Sequence, residues 1–229
     1  PLESVMSKSW NNKIFKHIQE NVDKASQKLA DERGPCPDAE EYGFKERFSN
    51  KTAIAPTASI SIICGGASPG VEPVAANSYT HKTLSGSYNV RNKYLKQILE
   101  KYGKNDDETW STITTNQGSV SHLDFLTDHE KDVFKTAFEL NQKWIIELGA
   151  DRTPYVSQAQ SINIFLPADV HKRDLHQIHF QAWKKGLKSL YYCRSKSIQR
   201  AENINKGLST ATNKESKDDQ DYEECLSCQ

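Results

Sequence analysis

The chain has 229 residues, with 30 basic and 30 acidic side chains and a formal net charge of zero at pH 7. That length suits one large domain or part of a bigger one, and the balanced charge creates no long-range field for nucleic acid or an anionic membrane. No apolar run approaches the roughly 20 residues that a membrane-spanning helix needs. No signal peptide stands at the start, and five cysteines without framework spacing fit a reducing compartment, so the cytoplasm is the expected location. The first residue is Pro1 and not Met, as in a trimmed chain or a piece of a longer one.

Residues 8–31 place Ile14, Phe15, Ile18, Val22, Ala25 and Leu29 at helical spacing, and Gly34 with Pro35 and Pro37 ends that helix. A short strand is predicted at 52–55, followed by a loop dense in Ser, Thr, Gly and Pro as far as Pro73. Residues 79–84 read as a strand, and 92–101 and 108–116 as helices. Asp106, Asp107 and Glu108 suit the second helix's N-terminus. Residues 131–148 give the clearest helical pattern, with Phe134, Phe138, Ile145 and Leu148 on one face. Two short strands, 161–166 and 189–193, flank a helix at 172–185. That order is a βαβ unit with a parallel pair, so the fold class is α/β, with a barrel-like arrangement in view. Trp10, Trp110, Trp144 and Trp183 are expected in a core or an interface.

Two internal motifs carry chemistry. Pro56-Thr57-Ala58-Ser59-Ile60-Ser61 directly follows a strand, and its hydroxyls with the backbone N–H groups of the turn could hold a phosphate without a cation. Gly65, Gly66 and Gly70 keep the following backbone open. A capped turn fits the same residues. Glu72, beside Pro73, could reach a ligand held at this loop, but it reads first as an exposed turn carboxylate. Tyr191-Tyr192 lies on the last strand, where a regular pleat would send the two rings to opposite faces. Joint action of both rings requires that the pair sit at the strand's end or leave ideal geometry.

The last five residues, Cys225-Leu226-Ser227-Cys228-Gln229, follow a segment crowded with charge from Lys214 to Glu224. Such a composition buries too little to offset ordering, so residues 195–229 are expected to form a flexible arm. Two cysteines three apart can close a disulfide and reopen it by exchange. Half a zinc site fits the same pair, although zinc needs four ligands and Cys36, Cys64 and Cys193 are scattered singly. An arm of about 30 residues has a coil reach on the order of 30 Å. Asp221, Glu223 and Glu224 would raise the thiol pKa values and slow their attack. His171, His176 and His179 lack a completing Cys or acid and read as surface histidines.

Taken in order, the Pro56-Thr57-Ala58-Ser59-Ile60-Ser61 loop with Gly70-Val71-Glu72-Pro73, the strand Leu187-Lys188-Ser189-Leu190-Tyr191-Tyr192 and the terminal cysteine pair resemble the C-terminal portion of the large (catalytic) subunit of class I ribonucleotide reductase. The resemblance covers essentially the whole chain. It implies that residues 1–194 are the C-terminal part of a ten-stranded α/β barrel and 195–229 a redox-shuttle tail. Pro56, Thr57, Ala58, Ser59 and Ile60 would bind the substrate diphosphate, Tyr191 and Tyr192 would pass the radical, and Cys225 and Cys228 would return reducing equivalents. The family's thiyl-radical cysteine with its Asn and Glu, its barrel cysteine pair and its regulatory domain all lie upstream of the matched region. The chain is therefore expected to be inactive alone, to bind no cofactor or metal itself, and to expose apolar surface. Its expected partners are the N-terminal portion of the large subunit, the metal-containing small subunit that supplies the radical, thioredoxin or glutaredoxin, and a ribonucleoside diphosphate.

Overall fold

A computed structural model describes residues 1–83 and 86–196, with the backbone alone at 81–83. The chain opens with α1 (Val5–Arg33), whose N-cap Ser4 accepts a hydrogen bond from the Ser7 amide. Gly34 ends it at φ 82°, a backbone region that glycine enters without steric penalty, and its N–H returns to the Ala30 carbonyl. Of the predicted stripe, Ile14 and Ile18 are exposed, as are Val5, Met6 and Trp10. This apolar face has nothing to cover it among the described residues. Further along, α1 is tied to the rest of the chain by Asn11, whose Nδ2 donates to the Leu148 carbonyl at 2.9 Å.

A short helix α2 (Pro37–Glu41) follows. The predicted strand at 52–55 shortens to one parallel bridge between Ile54 and Gln160, supported by backbone bonds from Ile54 N to Ala159 O and from Ser161 N to Ile54 O. The predicted loop to Pro73 holds a short helix, α3 (Ala58–Ile63). The predicted strand at 79–84 is β1 (Ser78–Thr83), and it pairs antiparallel with β2 (Gly86–Arg91), a partner that the sequence reading does not contain.

Next come α4 (Lys93–Lys101) and α5 (Asp107–Thr115). Asp106 caps α5, accepting from the Thr109 amide at 2.7 Å; that hydrogen bond holds its carboxyl below the ordinary value. Leu95 and Leu99 of α4, Trp110 and Ile113 of α5, and Val120, Leu123 and Leu126 form one apolar core. Asn77 ties the hairpin to it: its Nδ2 donates to the carbonyls of Gly118 and Phe134, and its Oδ1 accepts from Asn92.

The helix predicted at 131–148 is two helices, α6 (Asp128–Val133) and α7 (Gln142–Arg152). Thr127 and Glu130 form a capping box at α6, and Asn141 caps α7 by accepting from the Lys143 amide. Between them the Ala137 amide leaves helical pairing for the Val74 carbonyl, and the Thr136 amide donates to Glu139. The apolar spacing persisted across this break because Phe134, just past α6, packs on the first core and Ile145 of α7 lies in a second one, so periodicity merged the two helices.

A 3-10 turn, Thr153–Tyr155, leads to β3 (Ile164–Leu166), α8 (Lys172–Lys184) and β4 (Cys193–Ser195). β3 and β4 pair in parallel, as the βαβ reading requires. β3 is shorter than predicted and β4 begins only at Cys193, the last residue of its predicted strand, but backbone bonds from Tyr191 N to Ile162 O and from Ile164 N to Tyr192 O carry the pairing upstream. Leu140, Ile145, Ile146, Ile162, Ile164, Leu166, Ile178 and Ala182 form the second core between α7, β3 and α8. Among the described residues the strands form two two-stranded sheets, so the expected barrel is present only as a part. Trp110 is buried in its core, whereas Trp10 and Trp183 are exposed. No described helix is long and apolar enough to cross a membrane.

Candidate functional site

One open cleft brings the two internal motifs together. Pro56 and Ala58 line it from the loop, Tyr191 and Arg194 from the last strand, and Ser68, Pro69, Glu72, Pro73, Asn163 and Phe165 complete most of its wall. Chain order alone does not show this proximity, since more than a hundred residues separate the motifs; the parallel β3–β4 pairing closes the distance.

On the loop side, Thr57 is the residue before α3 and makes no side-chain cap to it, while its N–H donates to the Pro69 carbonyl at 3.1 Å. That bond folds residues 57 and 69 against each other. Ser59 and Ile60 are exposed. Ser61 is buried and its hydroxyl donates to the Ala58 carbonyl at 2.7 Å, so it is committed to its own helix. The hydroxyls left at the loop's surface are those of Thr57 and Ser59. Gly65 and Gly66 both take positive φ, at 82° and 74°, where a side chain would be strained.

The tyrosine pair sits immediately before β4, at the strand's end and outside its regular pleat. The two rings are 4.1 Å apart between centroids and inclined by 51°. The geometric condition for joint action of neighbouring tyrosines is therefore met. The guanidinium carbon of Arg194 lies 5.4 Å from the centre of the Tyr192 ring, a cation–π arrangement.

Glu72 is not an exposed turn carboxylate: it is 4% exposed. Its Oε1 accepts from the Asn163 amide at 2.5 Å and its Oε2 from Asn163 Nδ2 at 3.2 Å, while the Ser68 hydroxyl donates to its main-chain carbonyl. A β-carbon at position 70 would lie 2.5 Å from Glu72 Oε2, so the close approach needs Gly70. Sequence reasoning missed Asn163 and the burial of Glu72. A Gly-x-Glu-Pro run was the available signal, but a carboxylate beside a proline looks solvent-facing until strand β3 is placed against it. Arg152, also buried, donates to Gln160 Oε1 at 2.5 Å; burial pulls its pKa down to about 10, against the charges of Glu72 and Asp151.

His171 caps α8, and the His179 ring contacts the Leu175 carbonyl at 2.8 Å. Among the described residues no cluster of His, Cys, Asp and Glu could hold a metal. Cys36, Cys64 and Cys193 are free thiols; Cys225 and Cys228 lie outside the described residues.

A βαβ unit that sets two neighbouring, tilted tyrosine rings on one cleft with a Ser/Thr loop is the architecture of part of an α/β barrel. Residues 37–193 match the family model described as ribonucleotide reductase, barrel domain, and the chain belongs to that family. It is 48% identical over 206 residues to the ribonucleoside-diphosphate reductase large subunit of Invertebrate iridescent virus 6, covering 88% of this chain and 21% of the relative. It is 36% identical over 229 residues to the putative large subunit of Frog virus 3, covering 100% and 39%. Among solved structures it resembles the Actinobacillus ureae class Id ribonucleotide reductase alpha subunit, with a TM-score of 0.79, 39% identity, and coverage of 90% of this chain and 37% of that one. The chain thus spans between about a fifth and two fifths of these relatives.

Proposed function

We propose that this chain supplies the C-terminal part of a ribonucleoside-diphosphate reductase large subunit, acting only with the N-terminal portion and the small subunit. The observation that carries this reading is the shared cleft, in which Pro56 and Ala58 of the loop face Tyr191 and Arg194. At its edge the stretch 56–60, of which Pro56 and Ala58 line the cleft, anchors the diphosphate through the Thr57 and Ser59 hydroxyls and the N–H groups that open α3, which have no partner within the helix. Anchoring there fixes the ribose for radical chemistry done by groups outside this chain.

Tyr191 and Tyr192 relay the radical. A tyrosyl radical at one ring takes one electron and one proton from the phenol of the other, so the O–H bond re-forms on the first as it breaks on the second. A centroid separation of 4.1 Å suits such a short step. The small subunit, which holds the metal, supplies the initial radical. After each turnover the barrel's dithiol is left as a disulfide. Cys225 and Cys228 reduce it by thiol–disulfide exchange, becoming oxidised themselves, and thioredoxin or glutaredoxin then reduces them.

The test is reduction of a nucleoside diphosphate by this chain with small subunit and thioredoxin, with and without the N-terminal portion of a large subunit. Activity is expected only in the full mixture. A mixture that co-assembles but stays inactive would overturn the proposal.

A further inference from the structure

Glu72 has the geometry of a clamp. Its carboxylate is buried and grips one residue, Asn163, through two hydrogen bonds, one to the backbone amide and one to the side chain. Both ends of that contact lead directly to a functional segment. On one side, the Ser68 hydroxyl donates to the Glu72 carbonyl, and Pro69 next to it accepts from the Thr57 amide at the head of the loop. On the other, the residues flanking Asn163 hold the tyrosine backbone: Ile162 O accepts from Tyr191 N, and Ile164 N donates to Tyr192 O, each at 2.8 Å. The path Thr57–Pro69–Ser68–Glu72–Asn163–Ile162–Tyr191 is therefore short, its hydrogen bonds joined by single peptide links at 68–69 and 162–163.

A hydrophobic residue would hold two segments together more cheaply, because burying a carboxylate is costly unless it is paired. Glu72 meets that cost with two N–H donors and the nearby positive charge of Arg152. Gly70 completes the fit, since any side chain there would displace the carboxylate. Directional bonds fix register where apolar contact does not.

We propose that Glu72 is a positioning residue that sets the diphosphate loop and the tyrosine pair at a fixed mutual distance, so that substrate seating and radical passage depend on the same contact. This rests on the function proposed above. Glu72→Gln keeps the size but replaces one of the two acceptor oxygens with an NH₂ that faces a donor. In the assembled reductase it should raise KM for the nucleoside diphosphate by about tenfold and cut the radical signal formed at position 191 by a similar factor. That signal is read by electron paramagnetic resonance with 3-aminotyrosine in place of Tyr191. A residue that merely shapes the loop would move KM alone, and one that merely supports the strand would move the radical yield alone. Either single effect, or both values within twofold of wild type, would overturn the clamp.

Asn163→Ala, which deletes one of the two donors, guards against loss of folding in the first variant. It should shift both readings in the same direction by a smaller factor, and no paired shift in a folded variant would also overturn the clamp. An inactive wild-type mixture would instead sink the functional reading itself, so the two failures are distinguishable.

Discussion

The Tyr191 and Tyr192 rings lie 4.1 Å apart although the residues are adjacent in the chain, a closeness possible only because the pair precedes the regular pleat of β4. Both rings are partly exposed, and Tyr191 lines the cleft while Arg194 sits over Tyr192. Replacing either by Phe keeps the ring and its packing but removes the O–H bond that the relay must break. Tyr191→Phe and Tyr192→Phe are each expected to leave stability within about 0.5 kcal/mol. Turnover in the assembled reductase should fall about a hundredfold or more. Steady-state reduction of a nucleoside diphosphate, with circular dichroism to verify folding, checks both statements.

The support beneath the hairpin is tested at Gly118. It takes φ 79°, and an added β-carbon would meet the Ala76 side chain at 2.3 Å and its α-carbon at 2.5 Å. Its carbonyl also accepts from both the backbone and the side chain of Asn77. Gly118→Ala combines left-handed strain with an overlap that backbone cannot yield cheaply, so it should cost roughly 2–4 kcal/mol. A denaturant midpoint unchanged from wild type would contradict this.

What was legible in the sequence was what depends on local chemistry or on parallel topology. The glycine stop of α1, the aspartate cap of α5 and the β3–α8–β4 unit all follow from residues whose effect acts within a few positions. Errors arose where a distant partner decides the outcome. Residues 134–141 looked helical because the packed residues Phe134 and Ile145 keep one apolar rhythm across a break that Val74 and Glu139 stabilise. Glu72 looked exposed because nothing in its own segment shows that Asn163, ninety-one positions away, would cover it. The loop and the tyrosines were each readable, but their common cleft required the parallel pairing.

The terminal pair separates chemistry from recycling. Exchange needs both sulfurs, one to attack and one to resolve the mixed disulfide. Cys225→Ser and Cys228→Ser should therefore leave a single turnover by the pre-reduced, assembled enzyme intact. Multiple turnovers driven by thioredoxin should fall about a hundredfold. The neighbouring Asp221, Glu223 and Glu224 carry negative charge that disfavours the thiolate, so replacing the two glutamates by Gln should speed thioredoxin-driven recycling near neutral pH. Rapid-quench product counts distinguish one turnover from many.

The junction of α1, α7 and α8 makes stability depend on acid. Glu147 Oε1 lies 2.7 Å from Lys185 and Oε2 lies 3.3 Å from Lys8, which also reaches Asp151. The hydrogen bond from Lys185, with that from Lys8, holds the Glu147 carboxyl below its ordinary 4.5, although partial burial opposes the shift. A depressed folded-state pKa means that the unfolded chain takes up the proton first as acid is added. The stabilisation is thus fully present above pH 4.5 and is lost as pH falls through the lower folded value. The groups are about a third exposed, so solvent screening keeps the effect to about 0.5–1 kcal/mol. Glu147→Gln should lower the midpoint of thermal unfolding at neutral pH, and the difference from wild type should shrink below pH 4.5 as the wild-type carboxyl becomes protonated. A difference that stays constant through that window would show that the side chain acts by packing and not by charge.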